Sequence, residues 1–302
     1  MNESNNYYVS SRGLMKSCDY YSKTPHSGIR SLINYSETEF KNLKNINNPT
    51  IYICSNAMND FCQRLLPSID FPFILVSGDC DETVPYDIFY NDQLFQFFIN
   101  NKNLIHWFCQ NIVVTHPKIT NMPIGMDYHT MTSSAVWGSI VSSLEQENIL
   151  KNIIKNSKPF YQRQIKCYAN FHFLMTTKYG YDRIEAINQI PKELVYYEPI
   201  HVPRLDTWNI QKEYAFIISP HGNGFDCHRT WEALAIGCIP IVKTSKIDVL
   251  YDDLPVLIVK EWSDMTAEIL QTTVEKFKNK TFNLEKLSLK YWITLFSKPG
   301  KV

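Results

Sequence analysis

The sequence predicts an α/β protein of two units, each a parallel sheet covered by helices, on three observations. The chain has 302 residues, more than one hydrophobic core usually holds. Short β-type runs alternate with helical patterns from about residue 50 onward, the rhythm of strand-helix-strand crossovers. A polar, partly helical stretch at 142–164, broken by Pro159, divides the runs into two series. Both units are therefore expected to be Rossmann-like, spanning 1–145 and 146–302, with a cleft between them.

The first series gives strands at 50–54, 73–76, 104–108 and 112–115. The second gives strands at 165–170, 194–197, 214–219, 239–242 and 256–259. At the end of the chain Leu284, Leu287, Tyr291 and Leu295 recur at helical spacing, so 283–296 is predicted as an amphipathic helix with one face packed. The neighbouring Lys276, Lys278, Lys280, Lys286 and Lys290 read as a solvated helix face rather than a membrane surface.

Composition supports packed cores, with 44% hydrophobic and 20% charged residues. Thirty Lys and Arg balance thirty Asp and Glu, which removes the basic footprint of a nucleic-acid binder. The first eleven residues are polar and no run approaches the ~20 apolar residues of a membrane span, so a soluble cytoplasmic protein without an integral membrane segment is expected. The eight cysteines are scattered without a C-x-x-C pair and are expected to be reduced, mostly buried thiols. His106 lies in an apolar run and reads as core. No His/Cys spacing resembles a zinc site, so no structural metal is expected.

The most informative stretch is Phe216-Ile-Ile-Ser-Pro-His-Gly-Asn-Gly-Phe-Asp-Cys-His-Arg-Thr-Trp-Glu-Ala-Leu-Ala-Ile-Gly-Cys-Ile-Pro-Ile-Val242, a strand, a Gly-rich loop, a helix, a glycine stop and a second strand. Gly222 and Gly224 let the backbone turn and approach a ligand, Asp226 is placed to cap the helix, and Gly237 to end it. Cys227, Trp231, Leu234, Ala235 and Cys238 form one stripe, assigned to the sheet. Arg229 and Glu232 share another face. A cation in the first turn opposes the helix dipole by about 0.3–1 kcal/mol. His228 adds a second potential cation. An anion held at the Gly-rich helix start would offset that cost. The competing reading is an i,i+3 surface pair of Arg229 with Glu232; the loop ahead of them favours a ligand.

Ser219-Pro-His-Gly-Asn-Gly, the Arg229-Thr-Trp-Glu232-Ala spacing and Gly237-Cys-Ile-Pro-Ile-Val together resemble the C-terminal domain of exostosin-like glycosyltransferases of the GT-B fold, over about 214–266. The resemblance implies that the second unit holds a nucleotide-sugar, with Arg229 on the diphosphate and Glu232 on the ribose hydroxyls, and that the last helix crosses back to the first unit. Ser219, His221, Gly222, Asn223, Gly224 and Asp226 complete the expected donor site, with Lys243 at the end of the next strand. No cofactor is expected beyond the donor; the partner would be a glycan or other hydroxyl acceptor. The chain is short beside the animal exostosins and no membrane anchor is expected in it, so their location and glycosaminoglycan substrates gain no support.

Two further segments could line the cleft. Ser77-Gly-Asp-Cys-Asp-Glu82 follows an apolar strand. Asp79 or Asp81 there could act as general base in a metal-independent, inverting transfer. Alternatively Asp79 and Asp81 form the Asp-x-Asp of a metal-dependent GT-A enzyme, or simply an acidic turn. Met122-Pro-Ile-Gly-Met-Asp-Tyr-His129 brings Gly125, Asp127 and His129 to the acceptor side, or is merely a connecting loop. A third reading is a non-catalytic sugar- or nucleotide-binding module.

Overall fold

The computed structural model describes residues 3–21 and 37–297. It is α/β, with two five-stranded, all-parallel sheets in a Rossmann-like arrangement. The first sheet holds β1 (Tyr20–Tyr21), β2 (Thr50–Cys54), β3 (Phe73–Gly78), β4 (Leu104–Gln110) and β5 (Ile119–Met122), adjacent in chain order. The second holds β6 (Gln164–Ala169), β7 (Val195–Tyr197), β8 (Tyr214–Ile218), β9 (Ile239–Lys243) and β10 (Leu257–Val259), in the order β10-β9-β8-β6-β7.

The period of two in strand side chains sorts the first sheet into two faces. Ile51, Ile53, Leu75, Trp107 and Cys109 point into one cluster, with Phe61, Leu65 and Phe98 from the crossovers. Right-handed crossovers between strands that advance in one direction all fall on one face, which is what these clusters show. Tyr52, Ile74, Val76, Phe108 and Met122 point the other way. That face is covered by the two ends of the chain and by the second unit: Leu14 and Met15 of helix Ser11–Lys16, Trp292 and Phe296 of helix Leu289–Phe296, and Trp231 and Leu234 of helix His228–Ile236. The Phe108 and Phe296 rings lie 4.8 Å apart, and Leu289 N–H donates to Tyr7 O at 2.8 Å.

Three local expectations need correction. The run at 112–115 is not a strand. Asn111 takes a left-handed φ of 54°, Ile112 makes only an isolated bridge to Val84, and β4 pairs with Ile119–Met122 instead. Ile112, Val113 and Val114 satisfy apolar packing from a loop. The final helix is split, because Ser288 is extended and its hydroxyl caps a new helix by accepting from Tyr291 N–H; a 3-10 turn, Leu284–Leu287, precedes it. The stripe on helix His228–Ile236 is also split. Trp231 and Leu234 join the cluster against the first sheet, while Ala233, Ala235 and Ile236 pack with Tyr168, Ile217 and Trp208. From Thr230 to Ile236 the helix is buried on every side, and it ends on Gly237 at φ 80°, the left-handed stop the sequence predicts.

Residues 145 and 146 fall at the start of helix Ser143–Lys155, which packs on helices Arg204–Gln211 and His228–Ile236. All eight cysteines are free, and all but Cys227 are buried. Among the described residues no helix is long and apolar enough to cross a membrane.

Candidate functional site

The second sheet winds outward from β6 to β7 and then returns past β6 to β8, so its direction reverses between β6 and β8. At such a switch point the loops leaving the carboxyl ends of the two strands diverge and open a crevice. Here they are 170–179 after β6 and 219–227 after β8. Gly224 is required by close approach of backbone rather than by a left-handed turn, and Gly222 leaves room for the tip of Arg183. A Cβ on Gly222 would lie 2.7 Å from Arg183 Nη2, and one on Gly224 would lie 2.8 Å from both Asn111 Nδ2 and the Asp81 carbonyl.

Two guanidiniums face this loop. Arg183 spans the crevice, donating from Nε to His221 O at 3.1 Å and from Nη1 to Leu174 O. Burial, and secondarily the charge of Arg229, lower its pKa to about 10. Arg229 donates from Nη2 to Pro220 O at 2.8 Å and lies 5.7 Å from the centre of the Phe171 ring, while its Nε is buried without a hydrogen bond. Neither makes an ion pair among the described residues, and the Arg229–Glu232 pair does not form. The nearest acid to Arg183, Asp182, is committed elsewhere. Its Oδ2 accepts from His221 N–H at 2.8 Å and lies 3.1 Å from His221 Nδ1, and its Oδ1 accepts from Trp262 Nε1 at 2.7 Å. Beside the loop is a cleft of about 600 Å³ lined by Tyr179, His221, Phe225, Lys243 and Lys246, among others. The Tyr179 and Phe225 rings are stacked at 4.5 Å.

The remaining expected donor residues divide. Asn223 is exposed at the loop tip. Ser219 Oγ is buried 2.8 Å from Thr230 Oγ1, tying the loop to the helix. Lys243 is spent on Glu185 at 3.0 Å and Glu261 at 2.7 Å. Asp226 is not the helix cap: Cys227 holds that position, without a side-chain cap bond. The Asp226 carboxylate is buried in the seam between the units. It accepts from Ile124 N–H at 2.7 Å, Trp231 Nε1 at 2.8 Å and Tyr251 OH at 3.3 Å. Burial outweighs these donors and raises its pKa to about 6. Glu232 Oε2 accepts from Trp208 Nε1 at 3.2 Å, and its Oε1, buried without a hydrogen bond, lies 3.5 Å from Arg204 Nε.

From the first sheet, the turn after β3 puts Asp79 at φ 53°, buried, with Oδ2 3.7 Å from Arg12 Nε; neither atom has a hydrogen bond. Burial raises the Asp79 pKa against the pull of Arg12 and His228. Asp81 is exposed. Asp127 is gripped by Arg204, whose Nη2 lies 2.8 Å from Oδ2 and whose Nη1 donates to the Asp127 carbonyl at 2.7 Å. Burial opposes ionisation there, but Arg204, His228 and His129 together hold the carboxyl below its usual range. His129 Nδ1 lies 3.2 Å from Asp127 Oδ1. His228 Nδ1 donates to Gly125 O at 2.7 Å, and its ring centre is 6.2 Å from that of His129. Gly125 has no substitute: φ is 67° and a Cβ would meet Val9 O at 2.2 Å.

Thus the structure brings Asp79, Asp127 and His129 from the first unit against His228 and Glu232 from the second. Arg12, Asn111, Arg183 and Arg204 lie at the candidate site, and the sequence reading passed over them. For Arg204 a signal existed, since it is a cation at the first position of a helix, as Arg229 is at the second; Arg183 is the fourth residue of its helix and follows the acid Asp182. Arg12 and Asn111 carry no such mark. Among the described residues no three His, Cys, Asp or Glu side chains converge as a metal-ligand group. No family model and no curated protein matches the chain.

Proposed function

We propose that this chain is a glycosyltransferase of GT-B type that moves a sugar from a nucleotide-diphosphate sugar to an acceptor hydroxyl. The observation that carries the reading is the pair of guanidiniums, Arg183 and Arg229, facing a Gly-rich loop at a topological switch point without a carboxylate partner, one of them with a buried, unused N–H. Two adjacent unpaired cations repel, so a site that keeps them has a use for an anion with at least two charges. A diphosphate satisfies both, and fixed cations at that position stabilise it as the leaving group. The rings of Tyr179 and Phe225 offer the adjoining cleft an aromatic wall. The resemblance of 214–266 to exostosin-like donor domains points the same way. The acceptor would enter from the first unit, across the seam from Arg229.

Thermal unfolding in the presence of UDP-glucose, UDP-galactose, UDP-N-acetylglucosamine and GDP-fucose tests this. A donor at a hundredfold excess over its Kd stabilises by about 2.7 kcal/mol. At least one of the four should raise Tm in the parent chain and not in Arg229→Ala. Failure of all four in the parent chain removes the proposal. Turnover in EDTA, compared with turnover on added manganese, separates it from a metal-dependent transferase using Asp79 and Asp81.

A further inference from the structure

We infer that His129, oriented by Asp127, is the general base that takes the proton of the attacking hydroxyl; this rests on the transferase reading above. Three features of the seam carry it. First, His129 Nδ1 faces Asp127 Oδ1 at 3.2 Å, which favours the tautomer protonated on Nδ1 and leaves Nε2 with its lone pair. Second, Asp127 is itself immobilised, by Arg204 on Oδ2 and by Thr130 N–H donating to Oδ1 at 3.1 Å, so the imidazole inherits a fixed position. Third, the dyad lies against the start of the helix that carries Arg229, with the His228 ring between.

The alternative base, Asp79, is less suited. Its side chain is 3% exposed and faces the Arg12 guanidinium, whereas that of His129 is 19% exposed. The groups around His129 are Asp127, Arg12, His228 and Arg204, with Asp79 behind Arg12 and His228. Burial, with Arg12, His228 and Arg204 acting against Asp127, holds its pKa down to about 4. The ring is therefore neutral at pH 7, with an unprotonated nitrogen.

The step balances simply. The acceptor O–H proton moves to His129 Nε2 as the oxygen forms its bond to the anomeric carbon. The bond from that carbon to the diphosphate oxygen breaks, and its electron pair leaves with the diphosphate between Arg183 and Arg229. The imidazolium, stabilised by Asp127, then returns its proton to solvent.

Hydrolysis of the four nucleotide-sugars, with water as the acceptor, provides the test without knowledge of the natural acceptor. His129→Ala and His129→Gln should each lower kcat by about 10²- to 10⁴-fold while the donor-induced Tm shift stays that of the parent chain. Added imidazole should restore part of the His129→Ala rate, which a merely structural histidine would not allow. Parent-like hydrolysis by His129→Ala, or loss of activity in Asp79→Asn but not in His129→Ala, overturns the inference alone. Absence of turnover of all four sugars by the parent chain overturns it together with the transferase reading.

Discussion

In the first sheet the strands follow one another in chain order from β1 to β5, whereas in the second they reverse between β6 and β8. Strand number and parallel sense are shared, so the contrast isolates winding order. A sheet that advances in one direction puts its own crossovers on one face and leaves the other bare; here the chain ends and helix His228–Ile236 fill it. A sheet that reverses covers both faces itself and opens a crevice where its loops part. The second unit therefore carries the unpaired guanidiniums. The first supplies a wall, the turn after β3 and the segment from Ile124 to His129, pressed against that crevice. Both units line the candidate site.

The sharpest way to break this division is at Trp231, which belongs to the second unit by sequence and to the first sheet by packing. Its indole is 1% exposed and donates to Asp226. Trp231→Ala should cost about 3–5 kcal/mol. If the two units share one cooperative core, hydrogen exchange should speed up on β3 and β8 alike. Loss of protection on β8 alone would mean that the first sheet stands independently of its cover.

Arg229 tests the division from the functional side. Arg229→Ala should lower kcat by about 10²- to 10³-fold, the cost of losing one preorganised donor aimed at developing charge. Arg229→Lys should recover only part, because an ammonium cannot reproduce the fork. The melting temperature should hold, since the side chain makes one hydrogen bond, to the Pro220 carbonyl, and lies beside a second guanidinium that repels it. Normal donor affinity and normal turnover in Arg229→Ala would leave the crevice without its proposed anion.

The smallest expected effect lies in the seam. Asp226 has a folded pKa of about 6 against a reference of 3.8, so folding favours its protonated form. The stability this confers is complete below the unfolded value and is lost as pH rises through about 6. Between pH 7 and pH 5 the parent chain should gain about 1.4 kcal/mol relative to Asp226→Asn, measured as urea midpoints at the two pH values. Parallel pH profiles for the two chains would show that Asp226 does not titrate in this window.

The βαβ unit around 214–242 was legible in the sequence because each of its signals is local. A β-rich run, glycines and a helical period closed by Gly237 need no partner elsewhere in the chain to be read. The run at 112–115 misled because apolar content alone does not separate a strand from a loop that packs; the left-handed Asn111 and the pairing of Ile119–Met122 decided it. Asp226 misled because an acid ahead of a helix looks like a cap, while its real partners include Ile124, about a hundred positions away. Sequence determined most of the strand rhythm, the presence of parallel sheets and the cation at the start of one helix. Only the tertiary structure decided that Arg183 lies beside Arg229 and that Arg204 grips Asp127. Those contacts depend on winding order and on how the two sheets meet, and a charge carries no local mark of the distant group it will face.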